Sequence, residues 1–470
     1  MKHPLMILGT VFWVLMVVGL LPPGIADCDT RLPNIVLIYA DDMGWKGPSC
    51  YGNTYHETPH IDQICSEGMK FTAAYSGGPV CAPSRACLMT GQYVTRHGIY
   101  RVNQVEKKHQ DVRLTIPPRN VTDLPLDIST IADQLQRAGY VTGYCGKWHL
   151  GDKMEHLPSA RGFSEALVTR SPSGAKRYFF PDFSTVPPTS IDEGTYLTEV
   201  ITRWATNFIQ EHEKDPFFLY LPHFNVHGPH EASPERIEAF RKKDPTKTKE
   251  EATFAAMHAH LDDSVGEVLD KLREMKLDDN TVVIFTSDNG CLKRFSDGTL
   301  RGGKGMLYEG GIRVPMIVRW PGKVPRGSLC DQPVHQIDLY PTLLAIAGIV
   351  GKPDQECDGV NLLPLLTSNE PYELGRDSLY WHFPTYLKYN EKLNSYDITP
   401  CSAIRAGDWK LIEYFTPELP IKSRVQLFNF VDDLGESTNL ARKCPEITQQ
   451  LLEQLHEWRA ATGAMMPTLQ

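Results

Sequence analysis

The chain has no excess of basic residues: 48 Lys and Arg stand against 57 Asp and Glu, a formal net charge of −9. That balance removes the usual electrostatic ground for nucleic-acid binding. It also requires any site for an anion to gather its few cations locally. No Cys-x-x-Cys pair is present, so the common structural zinc signatures are excluded. No internal repeat or low-complexity tract interrupts the 470 residues, which argues against a solenoid or a disordered scaffold. Past the N-terminus no apolar run is long enough to span a bilayer.

A hydrophobic content of 41% over this length is ample for a large core and for two domains. The N-terminus has a short basic start (Lys2, His3), an apolar run over residues 5–21, the break Pro22-Pro23 and the small residues Gly24 and Ala26. This pattern predicts an export signal over residues 1–26, cut after Ala26. An uncleaved anchor is the alternative, but the run is short and holds Gly9 and Gly19. A lipoprotein reading of Cys28 is opposed by Asp27, where a small residue is needed. The expectation is a secreted or periplasmic protein without stable membrane insertion. Eleven cysteines permit disulfides in such a compartment, and the odd count leaves at least one unpaired.

From residue 34 onward buried strands alternate with helices. Near-continuous apolar runs at 34–40, 140–145, 216–221, 281–286 and 315–320 read as strands covered on both faces. Helices are predicted at 58–65, 130–137 (capped by Ser129), 196–211, 255–275 and 337–347. The alternation predicts an α/β fold with a doubly wound, mostly parallel sheet over residues 27–350. A polar, proline-containing linker is expected at 351–375. Short strands at 378–383, 402–405, 409–414 and 425–428, then a helix at 447–460, predict a smaller antiparallel subdomain over 376–470. Residues 103–126 read as a surface insertion carrying the sequon Asn120-Val121-Thr122, and residues 152–195 as irregular and Pro/Ser-rich. Residues 236–251 read as a solvated charged stretch.

Ligands of open α/β sheets bind beyond the carboxyl ends of the strands. Four polar clusters lie there: Asp41-Asp42, Lys147 with His149, His227, and Asp288-Asn289. Lys147 and His149 are two residues apart, so on an extended segment they point the same way. His223, His227 and His230 have helical spacing, but Gly228-Pro229 argues against a helix and hence against zinc. Lys304 sits among Gly302, Gly303 and Gly305, which let backbone approach a ligand closely. The acids and the amide offer hard oxygen donors, which suit calcium or magnesium.

The least probable string is Val80-Cys81-Ala82-Pro83-Ser84-Arg85-Ala86-Cys87-Leu88-Met89-Thr90-Gly91. Cys-x-Pro-Ser-Arg arises by chance in roughly one chain in a thousand of this length. Gly77-Gly78-Pro79 turns into it and a helix is expected from Ser84, with Cys81 near the positive end of the dipole and Arg85 one turn on. A plain buried cysteine is the bland alternative.

Cys-x-Pro-Ser-Arg-x-x-x-x-Thr-Gly resembles the signature of the formylglycine-dependent sulfatases, arylsulfatase-like members of the alkaline phosphatase superfamily. The resemblance extends over most of residues 32–415, with five motifs in the same order. It implies that a formylglycine-generating enzyme oxidises Cys81 to formylglycine (3-oxoalanine), whose hydrated aldehyde attacks sulfur. It implies a divalent ion, calcium with magnesium as the alternative, on Asp41, Asp42, Asp288, Asn289 and the modified Cys81. Arg85, Lys147 and His149 would hold and poise the hydrate, while His227 and Lys304 would contact the sulfate and protonate the departing alcohol. His149 would then take a proton from the remaining hydroxyl to expel sulfate. The implied activity is hydrolysis of sulfate esters, on a sulfated carbohydrate with aryl sulfates as artificial substrates. Hydrolysis of a phosphonate monoester or phosphodiester on the same scaffold, and non-catalytic binding of a sulfated glycan, stand as alternatives.

Overall fold

The structure is a computed structural model describing residues 1, 31–104, 109–170, 178–296, 298–351, 355–368, 372–415 and 423–470. The expected signal segment, apart from Met1, lies outside the described residues. Leu32–Gln470 form one compact unit.

The first six strands are β1 (Asn34–Ala40), β2 (Met69–Tyr75), β3 (Thr115–Ile116), β4 (Val141–Gly146), β5 (Glu165–Arg170) and β6 (Ser184–Val186). Next come β7 (Phe217–Pro222), β8 (Thr281–Ser287), β9 (Arg313–Arg319), β10 (Ser328–Cys330) and β11 (Val334–His335). All but β3 belong to one ten-stranded sheet in the order β10-β2-β9-β8-β1-β7-β4-β5-β6, with β11 also on β2. Its centre, β8-β1-β7-β4, is wholly parallel. β9 runs antiparallel to both neighbours and β6 antiparallel to β5.

Both faces of β1 are covered, which is why its sequence is apolar without alternation. Ile35, Leu37 and Tyr39 enter a core shared with helices Cys81–Thr90, Ile131–Arg137 and Leu339–Ile346. Val36, Ile38 and Ala40 enter the opposite core, under helices Pro59–Glu67, Leu197–Glu211 and Lys249–Glu274. The doubly wound expectation therefore holds: helices cover both faces of the sheet. The irregular reading of 152–195 does not: β5 and β6 extend the sheet there. The stretch expected to be merely solvated contains the helix Pro234–Lys243, whose Phe240 is buried.

The C-terminal part supplies β12 (Ser378–Phe383), β13 (Leu387–Asn390), β14 (Ser395–Ile398), β15 (Cys401–Ala406), β16 (Trp409–Tyr414), β17 (Val425–Asn429) and β18 (Thr468–Leu469). β12-β15-β16-β17 form an antiparallel sheet, β13 and β14 a hairpin, and β18 pairs with β3. Helix Pro445–Ala461 covers one face through Leu451, Leu455 and Trp458. The other face packs Trp381, Ala403 and Ile412 against Ala73, Tyr75 and Val80 of the large body. The stretch expected as a linker is itself packed. Leu362, Leu365 and Leu366 join the main core, and Gln355 donates to the carbonyls of Thr90 and Ser129 at 2.9 Å each.

Two further expectations change. None of the ten described cysteines is in a disulfide. The sequon asparagine is not a surface acceptor: Asn120 is buried, its Oδ1 accepts from the amides of Tyr100 (2.7 Å) and Arg101 (3.1 Å), and its Nδ2 donates to the Arg101 carbonyl. Asn120 thus stitches its own loop, and the folded protein offers no free amide there. Asn120→Ala should cost about 1–3 kcal/mol, the range for stranding buried donors, measured by urea unfolding. Peptide mass mapping of protein from a glycosylating host should find Asn120 unmodified.

Candidate active site at the carboxyl ends of four parallel strands

Because β8, β1, β7 and β4 are adjacent and parallel, their carboxyl ends lie side by side on one edge of the sheet. The chain leaves β1 into Asp41-Asp42, β7 into the loop bearing His227, β8 into Asp288-Asn289 and β4 into Lys147. Ladder-like bonds carry this alignment past the strands: Asp41 N donates to Asn225 O (2.9 Å), Asp288 N to Ala40 O (3.0 Å) and Lys147 N to Pro222 O (2.8 Å). Gly146 is required for the last of these. It has φ 140, and a Cβ there would stand 2.0 Å from the Pro222 carbonyl oxygen.

The helix Cys81–Thr90 starts at Cys81 itself, not at Ser84. Pro83 fits because the amides of a first helical turn have no intrahelical partner to lose. This places Cys81, fully buried, in the first turn. Its Sγ lies 3.5 Å from Asp41 Oδ1 and 3.4 Å from Lys304 Nζ. Ligand atoms of Asp41, Asp42, Cys81 and His227 all fall within 4.8 Å of one another.

Around this group the cations are shared out in order. Arg85, one turn into the helix, donates to Asp41 Oδ2 (2.8 Å), Asp288 Oδ2 (2.9 Å) and the Lys147 carbonyl (2.9 Å). Lys147 Nζ contacts Asp41 Oδ2. Lys304 Nζ donates to Asp42 Oδ2 at 2.8 Å, and His227 Nε2 lies 3.7 Å from the same oxygen. His227 Nδ1 donates to the Gly228 carbonyl, which fixes the ring with Nε2 towards the acids. Asp288 Oδ1 accepts from the Asp42 amide (3.0 Å), and Asn289 Nδ2 donates to Asp42 Oδ1 (2.6 Å). His149 reaches the same pocket, where Lys147, Arg85, Asp41 and His227 act on it. It does not do so on an extended strand, because the chain turns at His149 with φ 66. Asp42 is likewise left-handed at φ 60, a conformation that residues other than glycine hold mainly where the surroundings enforce it.

The electrostatics divide the ionisable groups. Burial raises the Asp41 carboxyl, but Lys147, His227 and Arg85 outweigh it and hold Asp41 well below the usual range. Asp42 follows, through Lys304 and His227 against burial. Asp288 goes the other way: burial, then Asp41 and the Cys81 thiol, push it well up despite Arg85. The two histidines also part. Burial, Lys147 and Arg85 drive His149 well below the ordinary value. For His227 burial and Lys147 are overcome by Asp42, Asp41 and the Cys81 thiol, and the pKa is raised. The Cys81 thiol is raised by burial and Asp41 but lowered overall by Lys147, Lys304 and His227.

These residues fit a hard divalent cation by two signs. The third carboxyl, Asp288, is pushed well up, first by burial and then by Asp41 and the Cys81 thiol, and a further cation beside it would relieve that shift. Asn289 Oδ1 is buried with no hydrogen-bond partner, although buried acceptors of this kind are normally satisfied. Carboxylate and amide oxygens are the donor set of calcium or magnesium.

One residue that sequence reasoning missed organises the site from behind. Gln336 Oε1 accepts from Tyr39 OH (2.9 Å) and Ser84 Oγ (2.8 Å), while its Nε2 donates to Ser287 O (2.6 Å). It ties β1, β8 and the Cys81 helix together. No local signal marks it, since all its partners are distant in sequence. Gly290 matters as well: a Cβ there would meet the Gly310 carbonyl oxygen at 1.9 Å, so only glycine lets the Asp288-Asn289 loop pass the segment that follows Lys304.

Comparison with known proteins agrees with this architecture. A family profile described as Sulfatase matches residues 33–349, and one described as N-sulphoglucosamine sulphohydrolase, C-terminal, matches residues 303–461. The chain is 33% identical over 361 residues to the N-acetylgalactosamine-6-sulfatase of Homo sapiens, covering 71% of this chain and 66% of that protein's length. It is 31% identical over 511 aligned positions to a sulfatase of Formosa agariphila, covering 92% of this chain and 89% of the relative. The solved structure of Ps i-CgsB in complex with k-i-k-neocarrahexaose superposes with a TM-score of 0.76 at 30% identity, covering 91% of this chain and 93% of that one. With the pocket at the strand ends and these matches over both parts of the chain, the protein belongs to the sulfatase family of the alkaline phosphatase superfamily.

Proposed function

We propose that this protein hydrolyses sulfate esters of a saccharide, using a formylglycine made from Cys81 and a calcium ion held by Asp41, Asp42, Asp288 and Asn289. The observation that carries the reading is the position of Cys81: a buried helix-start side chain whose sulfur lies between an acid cluster and Lys304. The names of the relatives, an N-acetylgalactosamine-6-sulfatase and a protein in complex with k-i-k-neocarrahexaose, favour a sulfated sugar. Among the described residues no helix is long and apolar enough to cross a membrane, which suits export of the mature chain to a secreted or periplasmic location.

Each side chain has a task that follows from its place. Arg85 is locked on two carboxylates and a carbonyl, so it orients the helix start and adds positive charge at Cys81. Lys304, between Asp42 and Cys81, is free to turn one donor to a sulfate oxygen. His227, fixed through Nδ1 and kept protonated by the acids, presents Nε2 as the proton donor for the leaving alcohol. His149, driven neutral, is the complementary proton acceptor, since neighbouring groups pushed in opposite directions divide acid and base work. Calcium would offset charge on the sulfate oxygens. Formylglycine would supply, as its hydrate, a nucleophilic oxygen beside a second hydroxyl.

The test is hydrolysis of 4-nitrophenyl sulfate against 4-nitrophenyl phosphate, with mass spectrometry of the Cys81 peptide from protein co-expressed with a formylglycine-generating enzyme. The expected result is preferential sulfate hydrolysis and a peptide in which one oxygen has replaced the thiol sulfur and two hydrogens. Preference for phosphate would move the protein to phosphoester or phosphonate chemistry. A modified peptide without turnover on any sulfate would leave glycan binding. In addition, calcium at a hundredfold excess over its dissociation constant should stabilise the protein by about 2.7 kcal/mol relative to the chelated state, read as a rise in Tm that Asn289→Ala diminishes.

A further inference from the structure

Beside Lys304 the mouth of the site presents a cation that the chemistry above leaves unused. The β13–β14 hairpin comes from the C-terminal part of the chain but docks on the loop carrying Lys304. Leu387 and Ile398 pair across the hairpin and face Gly305, where a Cβ would stand 2.5 Å from Ile398 Cδ1 and 3.5 Å from Leu387 Cδ1. Gly305 N in turn donates to the Pro79 carbonyl at 2.8 Å, two residues ahead of Cys81. The hairpin is therefore in register with both the Cys81 motif and Lys304.

Lys388 stands on that hairpin with φ 56, a left-handed backbone for a residue with a side chain. It is exposed, and its Nζ turns back to the Lys304 carbonyl at 3.4 Å. The nearest candidate acid on the hairpin is engaged elsewhere: Asp397 Oδ1 accepts from Asn390 Nδ2 at 3.0 Å. Among the described residues Lys388 forms no ion pair with a carboxylate. Desolvation of its ammonium against the loop of Lys304 lowers its pKa; Asp397 and Asp42 act upward, Lys304 and Arg294 downward, and the balance is down. Arg294 follows the Asp288-Asn289 loop, paired with Glu250 at 2.9 Å over the ring of Phe295. A lysine held in the field of two other cations, on a protein of net charge −9, is an arrangement that an incoming anion relieves.

We infer that Lys388 is a specificity-determining residue that binds a second anionic group of the saccharide, a carboxylate or a further sulfate, beside the sulfate being cleaved. This rests on the sulfatase reading of the pocket and adds that the substrate is polyanionic at or next to the cleaved ring.

Titration calorimetry on full-length Cys81→Ala protein, which removes turnover, tests it with three probes. These are inorganic sulfate, N-acetylgalactosamine 4,6-disulfate, and a disaccharide of glucuronate with N-acetylgalactosamine 6-sulfate. At least one of the two-anion sugars should bind about tenfold or more tightly than inorganic sulfate, as one charge-assisted contact allows. Adding Lys388→Ala should abolish that gain while inorganic sulfate affinity stays within about twofold, and Lys388→Arg should keep most of it. Gain with the disulfate assigns the second group to sulfate, and gain with the disaccharide assigns it to carboxylate. Equal affinity of all three probes, or a Lys388→Ala loss shared by inorganic sulfate, overturns the inference. Failure of the protein with native Cys81 to hydrolyse any sulfate ester would instead overturn the sulfatase reading, and the calorimetry separates the two.

Discussion

Replacing Cys81 with alanine is expected to cut kcat for sulfate esters by on the order of 10⁴-fold or more, the scale seen when a nucleophile is removed from a site that otherwise stays intact. The substitution isolates chemistry from folding because of where Cys81 sits. The side chain is fully buried in the first turn of the helix Cys81–Thr90, and its sulfur lies 3.5 Å from Asp41 Oδ1 and 3.4 Å from Lys304 Nζ. Alanine keeps the helix and removes a single heavy atom. Asp41 keeps Arg85 and Lys147, and Asp42 keeps Lys304, so the ion cluster survives. Circular dichroism and the unfolding midpoint should be close to those of the parent protein while 4-nitrophenyl sulfate turnover vanishes. Alanine is preferable to serine because it leaves no oxygen for a maturation enzyme to oxidise. Retained turnover in Cys81→Ala would remove Cys81 from the mechanism altogether.

That the candidate site residues gather at one edge of the sheet is legible in the sequence, for a physical reason. A strand covered on both faces is apolar without interruption, so the first polar residues after Ala40, Gly146, Pro222 and Ser287 mark strand ends, and ligands gather at those ends. The same rule says nothing about direction. The run 315–320 reads as one more buried strand, but β9 is antiparallel to β8 and β2. β2, which pairs with β9, β10 and β11, is hard to see in the sequence because its Lys70 and Thr72 interrupt the apolar pattern. β5 and β6 are hidden by the Pro/Ser-rich segments around them. Gln336 and the β13–β14 hairpin act through partners that are far away along the chain, and no local pattern reports such contacts. The sequon at Asn120 shows the converse error: a motif readable in sequence, whose asparagine is consumed by its own backbone.

The largest stability effect should come from Lys410→Met, about 3–5 kcal/mol, the range for leaving a buried charge without its partner. Lys410 on β16 is fully buried, as are Glu309 from the large body and Glu436. Its Nζ lies 2.9 Å from Glu309 Oε1 and 2.9 Å from Glu436 Oε1. Glu309 also holds Arg313 at 3.2 Å and accepts from Tyr75 OH at 2.7 Å, and Tyr75 in turn contacts Arg405. One ammonium thus ties the small sheet to the large one, and Arg301, near Lys304, is anchored to the Glu436 carbonyl at 2.7 Å. Two carboxylates compete for that ammonium, and they titrate apart. Against burial, Lys410, Arg313 and Arg405 bring Glu309 down to about 2. Burial, with Glu309 adding to it, pushes Glu436 up to about 7 despite Lys410. The signs follow by linkage. Glu309, depressed in the folded state, contributes stability that is present above its unfolded pKa of about 4.5 and is lost as pH falls towards 2. Glu436, raised in the folded state, contributes stability that is present below about 4.5 and is lost as pH rises through 7. Urea unfolding of the parent protein should therefore show stability rising from pH 2 to 4.5, with Glu436 acting against it from 4.5 to 7. Glu436→Gln should flatten that upper decline, and Lys410→Met should deepen it, because without the ammonium both acids resist ionisation. A Lys410→Met midpoint equal to the parent's at pH 7 would mean that apolar contacts around Trp381 and Ile412, not this ion cluster, hold the two sheets together.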